Sequence, residues 1–155
     1  MILIEKILGI LESKTNSFLV VMVGGMGLKI KISQNCKESL PELGSKINLL
    51  TYLHVKEDIL DLYGFKDENE RLIFLLLISI SGIGPKLALT ILSGLESIKL
   101  KEKIVTSDVE ALTKIQGVGA KTAKRIIVEL KEKLVKSNDI SLGFKEKGKD
   151  SQLYS

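Results

Sequence analysis

Ile80-Ser81-Gly82-Ile83-Gly84-Pro85-Lys86-Leu87-Ala88 and Ile115-Gln116-Gly117-Val118-Gly119-Ala120-Lys121-Thr122-Ala123 are two copies of one pattern, 35 residues apart. Each copy has an apolar helix end, a Gly-apolar-Gly turn and a Lys two residues beyond the second Gly. An Ala follows in each, where helices must approach closely. Glycines permit φ > 0 and leave no side chain between the backbone and a ligand. The helix that follows presents unpaired N–H groups at its positive end.

This is a helix-hairpin-helix pattern, and its donors suit a phosphate oxygen. The candidate binding residues are Gly82, Ile83, Gly84 and Lys86 in the first copy, and Gly117, Val118, Gly119 and Lys121 in the second. Ile83 and Val118 are expected to anchor the turns in the core, while Lys86 and Lys121 add charge at the same phosphate. Lys124 and Arg125 follow on the next helical positions and extend the basic cluster. Such contacts read no base edge, so the binding expected of them depends on salt, ignores sequence and favours the shape of the DNA. A single Gly-x-Gly between helices is often only a tight turn with a C-cap glycine. Two tandem copies, each with Lys and Ala in register, argue for more than a turn.

Working outward, residues 1–63 carry short β-branched and aliphatic runs at Ile2–Leu11, Phe18–Val23, Leu28–Ser33, Ile47–Val55 and Ile59–Tyr63, which read as strands. Turn residues separate them at Lys14–Ser17, Gly24-Gly25 and Pro41–Gly44. The fold class expected is a five-stranded OB-type β barrel over 1–63, followed by an all-α region over 64–134 with the tandem hairpins. The helical period begins with Asp67 as N-cap and Glu70 as its capping-box partner. Residues 135–155 have no sustained helical period and read as a flexible tail or remnant linker.

At 155 residues the chain is too small for one large enzyme domain. Its formal charge is +4, which permits an anionic partner without demanding one. The excess lies with the hairpins: residues 1–63 hold 7 Lys and 7 acids, whereas 64–134 hold 12 Lys plus Arg against 9 acids. The run Lys99, Lys101 and Lys103 fits a solvated helix face as well as it fits DNA contact. His54 and Cys36 give no paired soft ligands, so no metal site is expected. The lone Cys36 forms no internal disulfide, and without a signal-type start the expected compartment is the reducing cytoplasm. The longest apolar stretch, Leu72–Ile80, is too short to span a bilayer, so no membrane role is expected. Three Tyr, four Phe and no Trp offer few stacking platforms for single strands, which favours duplex arms.

Several stretches resemble the RuvA family of Holliday-junction-binding proteins: Lys56-Glu57-Asp58, Leu62-Tyr63-Gly64-Phe65, Gly84-Pro85-Lys86-Leu87-Ala88-Leu89 and Ile91-Leu92-Ser93-Gly94. Arg125-Ile126-Ile127-Val128-Glu129-Leu130-Lys131 is similar to that family's helix after the second hairpin, and the likeness extends to about Leu134. The resemblance implies a homotetramer, alone or paired face to face as an octamer, whose concave basic face receives an open four-way junction. It implies as partners the RuvB ATPase, which pumps the duplex arms, and the RuvC resolvase; it implies no cofactor and no catalytic step in this subunit. Glu57 and Asp58 match the family's acidic pin, whose role is repulsive: two carboxylates near converging phosphates disfavour plain duplex at the centre. Ala120 departs from the family, many members of which carry a basic residue there. A second departure is expected after Leu134, where the family has a linker and then a small helical domain that binds RuvB; 135–155 is too short and polar to form that domain.

Two other classes of function stay open at this point. Helix-hairpin-helix pairs also serve as accessory modules in ligases, nucleases and glycosylases, but residues 1–63 show no nucleotide-binding lysine motif and no clustered carboxylates for two metals. Alternatively, both hairpins are packing turns and the barrel binds a protein through apolar surface. A general duplex-binding accessory module, or a junction binder that does not recruit the motor, is the nearest alternative to the family role.

Overall fold

The computed structural model describes residues 2–152, with side chains described as far as Lys136. Five strands close into a barrel: β1 (Lys6–Lys14), β2 (Phe18–Val23), β3 (Met26–Lys31), β4 (Lys46–Lys56) and β5 (Ile59–Phe65), in the order β1-β2-β3-β5-β4. All neighbours pair antiparallel except β3 with β5, which pair parallel. This is the OB-type barrel that the strand pattern predicts.

Only β2 has the bounds expected from the sequence: β3 lies two residues earlier than its run, β4 gains a residue at each end, β5 runs two residues further, and β1 differs most. β1 starts at Lys6 rather than Ile2; just before it, the Ile4 and Glu5 carbonyls accept from Thr51 Oγ1 and N of β4 at 2.6 and 3.1 Å. It then runs on to Lys14 through a register shift between Leu11 and Ser13, the added residue of a bulge. A short helix, α1 (Gln34–Glu38), follows β3 where no helix was expected. Ser33 caps it by accepting from Cys36 N through its hydroxyl.

The helical region comprises α2 (Glu68–Ile78), α3 (Pro85–Gly94), α4 (Ser97–Val105), α5 (Val109–Thr113) and α6 (Ala120–Gln152). Asp67 caps α2 as expected, accepting from Glu70 N at 2.9 Å. The reciprocal half of the capping box is different: Glu70 Oε1 accepts from Lys66 N at 3.2 Å, and Oε2 accepts from Ser33 Oγ at 3.0 Å. Glu70 therefore ties α2 to the α1 cap instead of closing a local box. The backbone of α6 continues through most of the stretch expected to be a flexible tail; the side chains of 137–155 lie outside the described residues.

Two buried clusters form the core. One fills the barrel with Ile7, Leu11, Leu19, Val21, Ile30 and their neighbours. The other unites the helices but includes Tyr63 and Phe65 of β5. Phe74 of α2 meets both, at 5.2 Å from the Tyr63 ring and 4.9 Å from the Phe65 ring. The strand thus runs into the helical core, and no polar linker intervenes near Gly64. Arg71 reinforces the junction from α2: its guanidinium donates to the Glu5 carbonyl at 2.8 Å and the Thr51 carbonyl at 3.3 Å, and pairs with the Glu5 and Glu68 carboxylates at 2.7 Å each. On the other side Gln34 N donates to Ser93 Oγ at 2.9 Å, and Asn35 Nδ2 donates to the Leu92 carbonyl.

Candidate nucleic-acid interface

The two hairpins have the same internal bonding. In the first, Ile80 N donates to Leu77 O and Ile83 N to Ile80 O, at 3.1 and 3.0 Å. In the second, Ile115 N donates to Leu112 O and Val118 N to Ile115 O, both at 3.1 Å. Each turn passes through a left-handed glycine, Gly82 at φ 90° and Gly117 at φ 85°. Ile83 and Val118 are buried, as are Ala88 and Ala123 behind them. The apolar residue anchors the turn and the alanine lets the helices close, as the pattern requires.

The second glycines behave differently from the first. Gly84 has φ −92° and ψ 175°, a conformation open to any residue. A Cβ built on Gly84 or Gly119 meets nothing within 4 Å. Neither the chain's own packing nor, at Gly84, its backbone angles call for glycine. Both positions face open space where a ligand's backbone can come close.

The start of α3 is also left without an internal cap. α1, α2 and α5 each begin with a side-chain cap, from Ser33, Asp67 and Asp108. α3 begins at Gly84-Pro85 with no side-chain cap, and its first backbone bond is Ala88 N to Gly84 O at 3.0 Å. α6 repeats this with Ala123 N to Gly119 O at 2.9 Å. The donors ahead of those bonds remain available to an anion. α4 lacks a side-chain cap as well, but its Glu96 is an acid paired with Lys66 at 2.7 Å, which disfavours phosphate there.

Lys86, Lys121 and Lys124 are exposed, and no ion pair among the described residues engages them. Arg125 is exposed but leans on Glu129 through Nε at 3.1 Å. The run at 99–103 is partly engaged locally: Lys101 donates to Asn69 Oδ1 at 2.8 Å and Lys103 pairs with Asp108 at 3.3 Å. That pattern fits the solvated-face reading for two of its three lysines.

Glu57 and Asp58 form the two-residue turn between β4 and β5, with Lys56 opposite Ile59 and Val55 opposite Leu60. Both acids are exposed, and the flanking Val55, Ile59 and Leu60 are exposed as well. β5 leads from Ile59 at the turn to Phe65 in the helical core, about 20 Å at the usual strand rise.

Sequence reasoning missed a basic crevice between the barrel and α3. Lys29 and Lys31 of β3 and Lys86 of α3 line it, with Ser17, Thr90 and Ser93. The signal was present in Lys29-Ile30-Lys31: Ile30 is fully buried, so the two lysines share the outward face. Among the described residues no group of three or more His, Cys, Asp or Glu could hold a metal ion. No described helix is long and apolar enough to cross a membrane. The Cys36 thiol is buried, and burial with Glu70 nearby pushes its pKa well up.

An OB-type barrel carrying an acidic two-residue turn, fused through a shared core to a tandem helix-hairpin-helix, defines the class of protein. Comparison with known proteins narrows it. Residues 3–64 match the RuvA N terminal domain and residues 74–132 match the SAM-like helix-hairpin-helix tandem. A protein of Chloroherpeton thalassium is 49% identical over 138 residues, covering 89% of this chain and 68% of the relative. One of Acetivibrio thermocellus is 42% identical over 140 residues, covering 90% and 69%. One of Prosthecochloris aestuarii is 49% identical over 128 residues, covering 83% and 64%. Each of the three is named Holliday junction branch migration complex subunit RuvA. The chain belongs to the RuvA family. It spans about two thirds of the length of these relatives.

Proposed function

We propose that this chain binds four-way junction DNA by shape, gripping duplex arms through the phosphates without reading sequence. The observation that carries the reading is the pair of hairpins with matched bonding, each ending in a glycine that faces open space next to uncapped helix donors and an exposed lysine. Phosphate fits those donors by charge and by size. In this reading Gly82–Gly84 with Lys86 and Gly117–Gly119 with Lys121 make the grip. Lys124 and Arg125 supply further positive charge.

Glu57 and Asp58 act as a repulsive pin at the junction centre. In the homotetramer of this reading, four such turns surround the junction centre. The relatives' names place them in a branch migration complex. By that kinship the chain acts with the RuvB ATPase in the cytoplasm as a subunit with no catalytic step of its own, within the same system as the RuvC resolvase. The domain division that goes with this function is a barrel over 1–63 for assembly and the junction centre, a DNA-gripping region over 64–134, and a tail over 135–155.

The test is a gel-shift competition at moderate salt, with an immobile four-way junction as probe and linear duplex of equal length as competitor. The junction should win strongly. Equal competition by duplex would instead support a general accessory DNA-binding module.

A further inference from the structure

We infer that Lys29 and Lys31 on the barrel, together with Lys86, form a second phosphate track that carries the DNA backbone from the first hairpin onto β3. This rests on the DNA-binding reading above and deepens it.

The crevice starts where that reading places a phosphate. Lys86 stands in the first turn of α3, and Thr90 and Ser93 follow it along the same crevice wall. From Lys86 to Ser93 the helix rises about 10 Å, so the wall extends well beyond one phosphate. The opposite wall is the outward face of β2 and β3. Phe18 lies directly opposite Lys31, and Val20 opposite Lys29. Lys29 Nζ sits 4.2 Å from the centre of the Phe18 ring, which holds this ammonium in place while leaving it in solvent. Lys31 pairs with Asp61 at 3.1 Å, with its own side chain 41% exposed. An exposed pair of this kind contributes little and is readily exchanged for a phosphate.

The charge of the crevice suits a phosphate backbone. Three lysines face one crevice of about 660 Å³, with polar Ser17, Thr90 and Ser93 and apolar Phe18, Ile32 and Leu89 also in its lining. Ammonium groups are what DNA-binding surfaces turn toward phosphate oxygens, whereas the Thr90 and Ser93 hydroxyls already donate to the Lys86 and Leu89 carbonyls. The barrel thereby ceases to be electrically neutral toward DNA on this side, although its total of Lys and acids balances.

The experiment measures junction affinity of the full chain over a range of salt concentrations. It compares wild type, the double variant Lys29→Gln/Lys31→Gln, Lys121→Gln in the second hairpin, and Asp61→Asn. The double variant should bind junction and duplex more weakly and lower the slope of log affinity against log salt by about 1 to 2, the amount expected for two lost phosphate contacts. Asp61→Asn, which breaks the ion pair but keeps the lysines, should bind as well as wild type or better. If the double variant matches wild type while Lys121→Gln weakens binding, the track is overturned and the hairpin reading stands. If Asp61→Asn loses as much as the double variant, the effect is one of barrel structure and the track is again overturned. Failure of the wild type to bind either DNA overturns the proposed function and this inference together.

Discussion

Gly84 and Gly119 occupy the same place in two hairpins, and a Cβ on either would stand in open space. Gly82 and Gly117, two residues earlier in each turn, have φ near 90° instead. Substitution should therefore separate binding from folding. Gly84→Val and Gly119→Val should weaken binding to every DNA form, with a stability change of about 1 kcal/mol or less from the poorer N-cap. Gly82→Val and Gly117→Val should cost more than that in stability, because a left-handed backbone is strained by about 1–2 kcal/mol even before branching is counted. Thermal melts and gel shifts on the four variants check both halves.

Removing the charge of the β4–β5 turn should act on selection alone. Glu57→Gln/Asp58→Asn leaves the turn's shape in place, since both residues are exposed and neither has a positive φ. The variant should bind linear duplex more tightly and narrow the preference for the junction. An unchanged ratio of the two affinities would remove the pin assignment.

Arg71 is 4% exposed, while its carboxylate partners Glu5 and Glu68 are exposed at 61% and 70% of their side-chain surface. The carboxylates can return to water if the arginine is lost; the carbonyls of Glu5 and Thr51 are less free to do so. Arg71→Met should then cost about 1–3 kcal/mol, the range for orphaned buried acceptors. Glu5→Gln should cost less than about 1 kcal/mol. Urea unfolding of the two variants measures the difference.

Glu70 makes stability depend on pH. Its carboxyl is raised above the ordinary 4.5, mainly by burial, against the lowering effect of bonds from Lys66 N–H and the Ser33 hydroxyl. A carboxyl raised in the folded state adds stability that is complete below pH 4.5 and is lost as pH climbs through the raised value. Glu70→Gln removes that titration. The unfolding free energy of E70Q relative to wild type should stay flat below pH 4.5 and rise in the variant's favour above it. A difference that holds constant across this window would contradict the assignment.

Cys36 is fully buried and its thiol is pushed away from ionising, so the nucleophilic thiolate is scarce. Alkylation by iodoacetamide should be negligible in the native chain and prompt in denaturant. Ready native alkylation would mean that the contact between α1 and the barrel opens.

The tandem hairpins were legible because their chemistry is local: glycine, anchor and lysine sit within a few residues, and repetition removed the ambiguity of one turn. The barrel's strand number was legible from short β-branched and aliphatic runs and the turn residues between them. What the sequence hid is long-range. Glu70 looked like a capping-box partner because Asp67 stands three residues before it, but Ser33, 37 residues away, claims one of its oxygens. α1 spans only five residues, too few for a period to show. Lys29 and Lys31 carry no signal of Lys86 in the sequence; only the fold sets this residue of α3 in the same crevice.

Phe74 sits against both Tyr63 and Phe65, and this denies the chain a hinge. A cut after residue 63 would part Tyr63 from Phe65 and Phe74, take the end of β5 from the barrel, and leave the helical core without one of its rings. Barrel and helices therefore share one interior, and their relative placement is set once, when the chain folds.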